Sequence, residues 1–141
     1  MTSDELATYL AGAGLGLTLG TNLFSSPFPA ASAVVVPDLA VAVVDSPGED
    51  PIGSFGPSLS SVDVERPEAL ILVRGGRDAV EAAKAKAYAV WKKLRRLGDV
   101  EISGTRYLAV AAKTPYLLGY DESKRPIYAI VCDVWKEESA A

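Results

Sequence analysis

The stretch ALILVRGGRDAVEAAKAKAYAVWKKLRRLG, residues 69–98, decides the fold. It opens with an apolar run, Ala69–Val73, that is typical of a buried strand. Two glycines then interrupt the pattern, and residues 78–97 repeat apolar side chains at helical spacing. This spacing predicts a helix whose apolar stripe packs on a sheet. The stripe comprises Val80, Ala83, Ala87, Val90, Trp91, Leu94 and Leu97.

Short signals mark the ends of two predicted helices. Thr2-x-x-Glu5 fits a capping box for a helix over residues 3–11, and Asp78-x-x-Glu81 fits one for the second helix. Gly98 is the expected C-cap of the second helix.

Extended runs and turn signals complete the predicted order, α–β–β–β–α–β–β. The predicted strands are residues 15–23, 33–44, 62–73, 106–113 and 127–135. Ser103-Gly104-Thr105 predicts a hairpin turn, whereas residues 114–125 are expected to be a connection. Residues 45–61 are rich in proline and glycine and predict a long loop. We expect one α+β domain over residues 1–141, a mainly antiparallel sheet packed against two helices, with a polar tail at 136–141.

The chain lacks the residues that most active sites use. It contains no histidine and one cysteine, Cys132, which alternates with apolar neighbours and is expected to be a core thiol. No imidazole is present to activate that thiol, and a zinc site would need further cysteines. We therefore predict no catalytic, cofactor-binding or metal-binding residues. No window is apolar enough to span a membrane, and the acidic N-terminus is unlike a signal peptide, so we expect synthesis in the cytoplasm.

Charge is distributed unevenly along the chain. Residues 1–70 contain nine acids and one base, whereas residues 71–141 contain thirteen bases and nine acids. Such asymmetry fits complementary faces of a self-assembling subunit, a nucleic-acid tail, or halves that interleave in the fold and cancel. A pI near 4.8 argues against specific nucleic-acid binding.

The polar face of the second helix is a candidate contact surface. A tyrosine lies beside small alanines there, and basic side chains surround it, a composition found in protein interfaces. The alternative is a solvated face with one harmless aromatic residue. The candidate interface residues are Ala85, Tyr88, Ala89, Lys92, Arg95 and Arg96.

Two glycine motifs superficially resemble phosphate-binding sites. The GAGLG run at residues 12–16 follows a helix and opens a strand, the reverse of a dinucleotide-binding loop. Arg74-Gly75-Gly76 precedes a helix N-terminus, where backbone amides can hold an anion. No Walker pattern accompanies it, so a plain strand-to-helix turn is favoured.

Three stretches together resemble the small minor-capsid or tail-terminator proteins of long-tailed bacteriophages. They are DELATYLAGAGLGLTLGTNLF (4–24), ERPEALILVRGGRDAVEAAKAKAYAVWKKLRRLG (65–98) and GTRYLAVAAKTPYLLGYDESKRPIYAIVCDVW (104–135). The resemblance covers most of the chain, but residues 45–61 lie outside it.

The resemblance implies a ring-forming subunit, typically a hexamer. The ring would cap the tail tube, stop its polymerisation and join the tail to the head–tail connector. Its implied partners are further copies of the chain, the major tail tube protein and the connector. DNA would pass through the lumen without being read. The implied location is the tail–neck region of the virion, and no catalytic residues carry over.

A ring subunit needs two different complementary patches, because its contacts are head-to-tail. The polar face of the second helix is our candidate for one patch. Residues of the long loop are our candidates for reaching the tube or connector: Pro47, Glu49, Asp50, Ile52 and Phe55.

Three other functions remain open from the sequence. The same features are compatible with another neck protein, such as a head-completion or connector subunit, and with a tail-tube subunit that stacks into long tubes. A small enzyme or ligand-binding α+β domain belongs to a different class, and it would need a pocket with convergent polar groups.

Overall fold

Two helices and seven strands make up the part of the chain that the computed structural model describes, residues 2–29, 36–52, 64–95 and 97–137, with the side chains of 47 and 49–52 left out. The elements are α1 (Thr2–Ala11), β1 (Leu23–Phe24), β2 (Ala40–Ile52), β3 (Val64–Arg74), α2 (Val80–Leu94), β4 (Gly98–Ile102), β5 (Thr105–Ala112), β6 (Tyr116–Tyr120) and β7 (Pro126–Glu137). The predicted α+β class with two helices and a mainly antiparallel sheet is confirmed.

The strands form one sheet in the order β1-β2-β3-β7-β5-β4, and β6 pairs with β7 beside this path. Strand β7 organises the sheet, because β3 pairs along one of its edges over residues 127–137. Its other edge is shared between β6, opposite residues 126–129, and β5, opposite residues 132–136. Only β1 with β2 is a parallel pair among the named strands.

One face of the sheet carries the core. Cross-strand register places Val43, Ile71 and Ile130 side by side, and all three are fully buried. Both helices pack on the sheet, α1 mainly on β2 and α2 mainly on β7. The predicted stripe of α2 is confirmed: its alanines, Val90 and Leu94 are buried, and Trp91 packs against the core.

The predicted capping box of α2 does not form, and Thr2 and Glu5 of the other predicted box both lie inside α1. The N-cap of α2 is Ala79, which has no side-chain cap hydrogen bond, and Gly98 opens β4 instead of capping the helix. At α1, a residue from another element supplies the cap. The Asp45 carboxylate accepts hydrogen bonds from the Ser3 backbone N–H (3.0 Å) and the Ser3 hydroxyl (2.7 Å). A carboxylate at a helix N-terminus satisfies unpaired amides and complements the helix dipole.

The structure corrects several predicted boundaries. Strand β2 runs to Ile52, so residues 46–52 of the predicted loop are strand; residues 53–61 lie outside the described residues. Register shifts bend β2 along β3 at this point. Gly48 fits there because a Cβ would collide with the backbone of Arg66 and Pro67. A glycine is therefore required where the two backbones approach each other.

Two further differences lie in the second half of the chain. The predicted connection 114–125 contains strand β6, and the predicted polar tail begins inside β7, where Lys136 is buried.

The predicted hairpin turn is confirmed. Ser103 and Gly104 both have positive φ (51° and 83°), as a two-residue type I′ turn requires. Of the predicted strand 15–23, only Leu23 belongs to a named strand, β1, and Leu19 forms an isolated bridge to Leu23.

Candidate subunit interface

The structure divides the predicted patch on α2 between two flanks of the helix. On one flank, the Tyr88 ring meets Trp91 edge-to-face, with centroids 5.8 Å apart. The Arg95 guanidinium lies 4.7 Å from the Trp91 ring centroid, within the range of a cation–π contact. Trp91 Nε1 donates to the Ala112 carbonyl oxygen (3.0 Å). Tyr88 and Arg95 are therefore held beside the end of β5.

On the other flank, α2 and the segment after α1 form the walls of an open groove of about 510 Å³. Lys86 holds the segment after α1 against α2, because the Lys86 Nζ donates to the Leu15 carbonyl oxygen (2.6 Å). We call this feature the α1–α2 groove. It is lined by Tyr9, Leu15, Ala89, Lys92 and Lys93.

The remaining predicted interface residues fall elsewhere. Ala85 is exposed on the outer surface of α2, between the two flanks. Arg96 lies outside the described residues. The structure thus brings Ala89 and Lys92 together in the groove, and it separates them from Tyr88 and Arg95 on the Trp91 flank.

The outer surface of α2 is positively charged. Lys84, Lys92 and Lys93 are exposed, and no ion pair to any of them forms within the described ranges. Uncompensated like charges at a groove repel each other and attract an acidic partner.

The predicted tube-contacting residues are not brought together by any described contact. Pro47, Glu49, Asp50 and Ile52 belong to β2, where only their backbone is described. Phe55 lies outside the described residues.

The sequence patterns did not indicate an apolar exposed surface among the described residues, which we call the β6 edge (Tyr116–Tyr120). Its large side chains are exposed by 42 to 59%. The segment YLLGY contains no charged residue. Pro115 and Gly119 made it resemble a connection, although its aromatic and aliphatic composition suits a strand. The exposed residues are Tyr116, Leu117, Leu118 and Tyr120.

Three side chains form a polar group at the far end of β7, which we call the Glu5 cluster (Glu5, Tyr107 and Lys136); Tyr107 and Lys136 are buried, and Glu5 is partly buried. Glu5 Oε1 accepts hydrogen bonds from the Tyr107 hydroxyl (2.8 Å) and from Lys136 Nζ (3.1 Å). Burial acts to raise the pKa of Glu5, but hydrogen bonds from Thr105, Tyr107 and Lys136 outweigh it and hold that pKa below its ordinary value. Burial, followed by the bond to Glu5, raises the pKa of Tyr107.

The Glu5 cluster is a structural group, because every charge in it has a partner. Lys136 also lies 3.8 Å from Glu65 Oε2 and 5.6 Å from the centre of the Tyr107 ring. Lys136 is 5% exposed, which leaves little room for a substrate to reach its amine. A buried pair of this kind stabilises one arrangement of α1 on the sheet.

Arg74 does not form an anion site with the glycines that follow it. Its guanidinium donates to the Pro37 and Asp38 carbonyl oxygens (2.8 and 3.1 Å) and lies over the Phe28 ring. Burial lowers the pKa of Arg74. Gly75 is needed for close packing, since a Cβ there would lie 2.7 Å from the Ala83 Cβ. The favoured prediction, a plain strand-to-helix turn, accounts for the motif.

The described residues contain no arrangement suited to catalysis at Cys132 or to binding a metal ion. Burial raises the pKa of Cys132 to about 12, so the thiolate is scarce near neutral pH. No group of three or more carboxylate or cysteine side chains is positioned to hold a metal within the described ranges. No described helix is both long enough and apolar enough to cross a membrane.

Comparison with known proteins gives one informative result. No protein-family model matches the chain, and no curated protein matches it significantly. The fold is similar to that of a chain in the solved structure "Virion of native gene transfer agent (GTA) particle". The TM-score is 0.66 and the identity 18%, and the match covers 96% of this chain and 94% of the other. At this identity the likeness shows a shared fold over the whole domain.

Proposed function

We propose that this protein is a structural component of a phage-like virion, specifically the tail terminator. The observation that carries the proposal is the full-length match to a chain of a gene transfer agent virion, with a TM-score of 0.66. The sequence resemblance to minor-capsid and tail-terminator proteins supports the same assignment independently.

In this proposal the subunits form a closed ring, expected to be a hexamer, at the head-proximal end of the tail tube. The ring stops tube polymerisation and joins the tube to the head–tail connector. DNA passes through the lumen without sequence-specific contacts. The outer surface of α2 contributes to the contact between subunits, and the segment that includes Pro47, Glu49, Asp50, Ile52 and Phe55 contacts the tube or the connector.

The function is tested by the assembly state of the purified protein. Native mass spectrometry and negative-stain images would be recorded with and without tubes assembled from the major tail tube protein of the same virus. Closed single rings, or monomers that become rings on tube ends and stop tube growth, support the terminator. Long tubes formed by this protein alone would identify a tail-tube subunit. A persistent monomer that ignores the tubes would overturn the proposal.

A further inference from the structure

The β6 edge is an unprotected sheet edge. Strand β6 pairs with β7 on one side, and no strand within the described ranges pairs with its other side. Edge strands are normally protected by charged residues or proline inside the strand. YLLGY has neither, and Leu118 and Tyr120 are 53% and 59% exposed. Such a patch, roughly 400 Å² for four half-exposed large side chains, is the size of a protein-contact site.

The α1–α2 groove is complementary to the β6 edge in its apolar and charged side chains. Its walls are apolar at Tyr9, Leu15 and Ala89, and its rim carries Lys92 and Lys93. A partner that fits must therefore present large apolar side chains next to an acidic one. The β6 edge and the turn that follows it do so together: Glu122 is exposed two residues after Tyr120 and forms no ion pair with any described residue.

The β6 edge and the α1–α2 groove are separate surfaces of the chain, because β6 packs along β7, whereas the groove residues lie on the flank of α2 away from Trp91. Trp91 faces the end of β5 through its hydrogen bond to Ala112, only a few residues before β6 begins. Ala89 and Lys93 are each two residues from Trp91, which places them about 200° around the helix axis. Head-to-tail contacts require two different surfaces on each subunit, and the β6 edge and the α1–α2 groove meet this requirement.

We propose that the β6 edge of one subunit docks into the α1–α2 groove of the next copy, with Leu118 and Tyr120 against the apolar walls and Glu122 next to Lys92 and Lys93. This inference rests on the proposed ring and names its subunit contact. The two surfaces differ, so each subunit uses one toward each neighbour, and the contact closes into a ring when the rotation allows. The β6 patch supplies about half of the 800 Å² that one side of a standard interface buries.

Cysteine cross-linking tests the contact directly. The variant carrying Leu118→Cys and Ala89→Cys would be treated with a short bismaleimide in the presence of tail tubes. Native Cys132 is buried and is expected not to react. The expected result is a covalent ladder that ends at the ring size. The matched control carries Leu118→Cys and Glu101→Cys, with the second cysteine exposed on β4, and should give no ladder. Rings that form but do not cross-link through positions 118 and 89 would overturn the inference.

A charge exchange provides a second test with a different readout. Lys93→Glu and Glu122→Lys are each expected to raise the concentration for half-assembly about tenfold, and the double variant should restore assembly. Lys84→Glu, on the same helix but outside the groove, is the control and should leave assembly unchanged. Failure of the double variant to restore rings would reject the docking.

The outcomes separate this inference from the function on which it rests. If the wild-type protein forms rings and both tests fail, the β6 contact is wrong and the terminator proposal stands. If the wild-type protein forms no ring with tubes present, both proposals are wrong.

Discussion

The two ends of strand β7 are completed in opposite ways. At its far end, Lys136 is a charged residue only 5% exposed, and its amine is paired with Glu5. At its near end, the paired strand β6 exposes Leu118 and Tyr120 by more than half. Residue polarity alone would predict the reverse. The difference teaches that partners, rather than polarity, decide burial here: the Glu5 cluster is complete within the chain, whereas no described residue covers the outer side of the β6 edge.

The largest effect is expected from removing the cation of the Glu5 cluster. Lys136→Ala leaves the partly buried Glu5 carboxylate with the hydroxyls of Thr105 and Tyr107 as its remaining hydrogen-bond donors. Removing one member of a buried ion pair destabilises by about 3–5 kcal/mol. Urea unfolding measures this change. Lys113→Ala, an exposed lysine, is the matched control and should change stability by less than about 0.5 kcal/mol. Equal effects of the two variants would show that the Glu5 cluster contributes no special stability.

The pH dependence of stability tests whether the negative charge of Glu5 causes the stabilisation by the Glu5 cluster. The folded-state pKa of Glu5 lies below its ordinary value of 4.5, so its contribution is complete above that value. It is lost as the pH falls through the folded-state pKa. Glu5→Gln should therefore cost about 1.5–3 kcal/mol near neutral pH, and the cost should shrink below about pH 4. The comparison is made by urea unfolding of both proteins from pH 7 downward. A cost that stays constant with pH would contradict the role of the charge.

A smaller effect is expected at the third member of the cluster. Tyr107→Phe keeps the buried ring and removes the hydroxyl that donates to Glu5, while Lys136 still pairs with the carboxylate. The loss of one such hydrogen bond costs about 1 kcal/mol. A second measurement uses the raised pKa of Tyr107. Because the unfolded chain ionises first, wild-type stability should fall above about pH 10, and the variant should show a weaker fall.

Local patterns predicted the elements whose stability is local. Helical spacing identified the apolar stripe of α2, and the Ser103-Gly104 pair identified the hairpin turn, because each depends on neighbouring residues. The alternation around Cys132 likewise placed this residue correctly in the core. The α2 stripe and the position of Cys132 follow from the period of the apolar side chains, and the turn follows from its two positive-φ residues.

The features that were missed depend on contacts between distant residues. Asp45 caps α1 from 42 residues away, and Lys136 is buried because it meets Glu5, 131 residues earlier. No short window contains either partner. The strand β6 was missed for a related reason: it is held by pairing with β7, which overrides the turn signals of Pro115 and Gly119. Helical spacing placed the candidate interface residues of α2 away from the core. Their division between two flanks became visible only from the contacts of Trp91 and from the groove beside α1.

The smallest effect on stability is expected at the β6 edge, where one substitution should leave folding unchanged and weaken assembly. Leu118 is 53% exposed, so Leu118→Ala removes little buried area and should change the free energy of unfolding by less than about 0.5 kcal/mol. Leu94→Ala, in the fully buried stripe of α2, makes the identical chemical change and should cost about 2–5 kcal/mol. If the β6 edge is covered in the assembled ring, Leu118→Ala should weaken assembly while leaving urea unfolding of the monomer unchanged. A large loss of monomer stability would show that Leu118 belongs to the core of its own subunit, and the contrast between the two ends of β7 would fail.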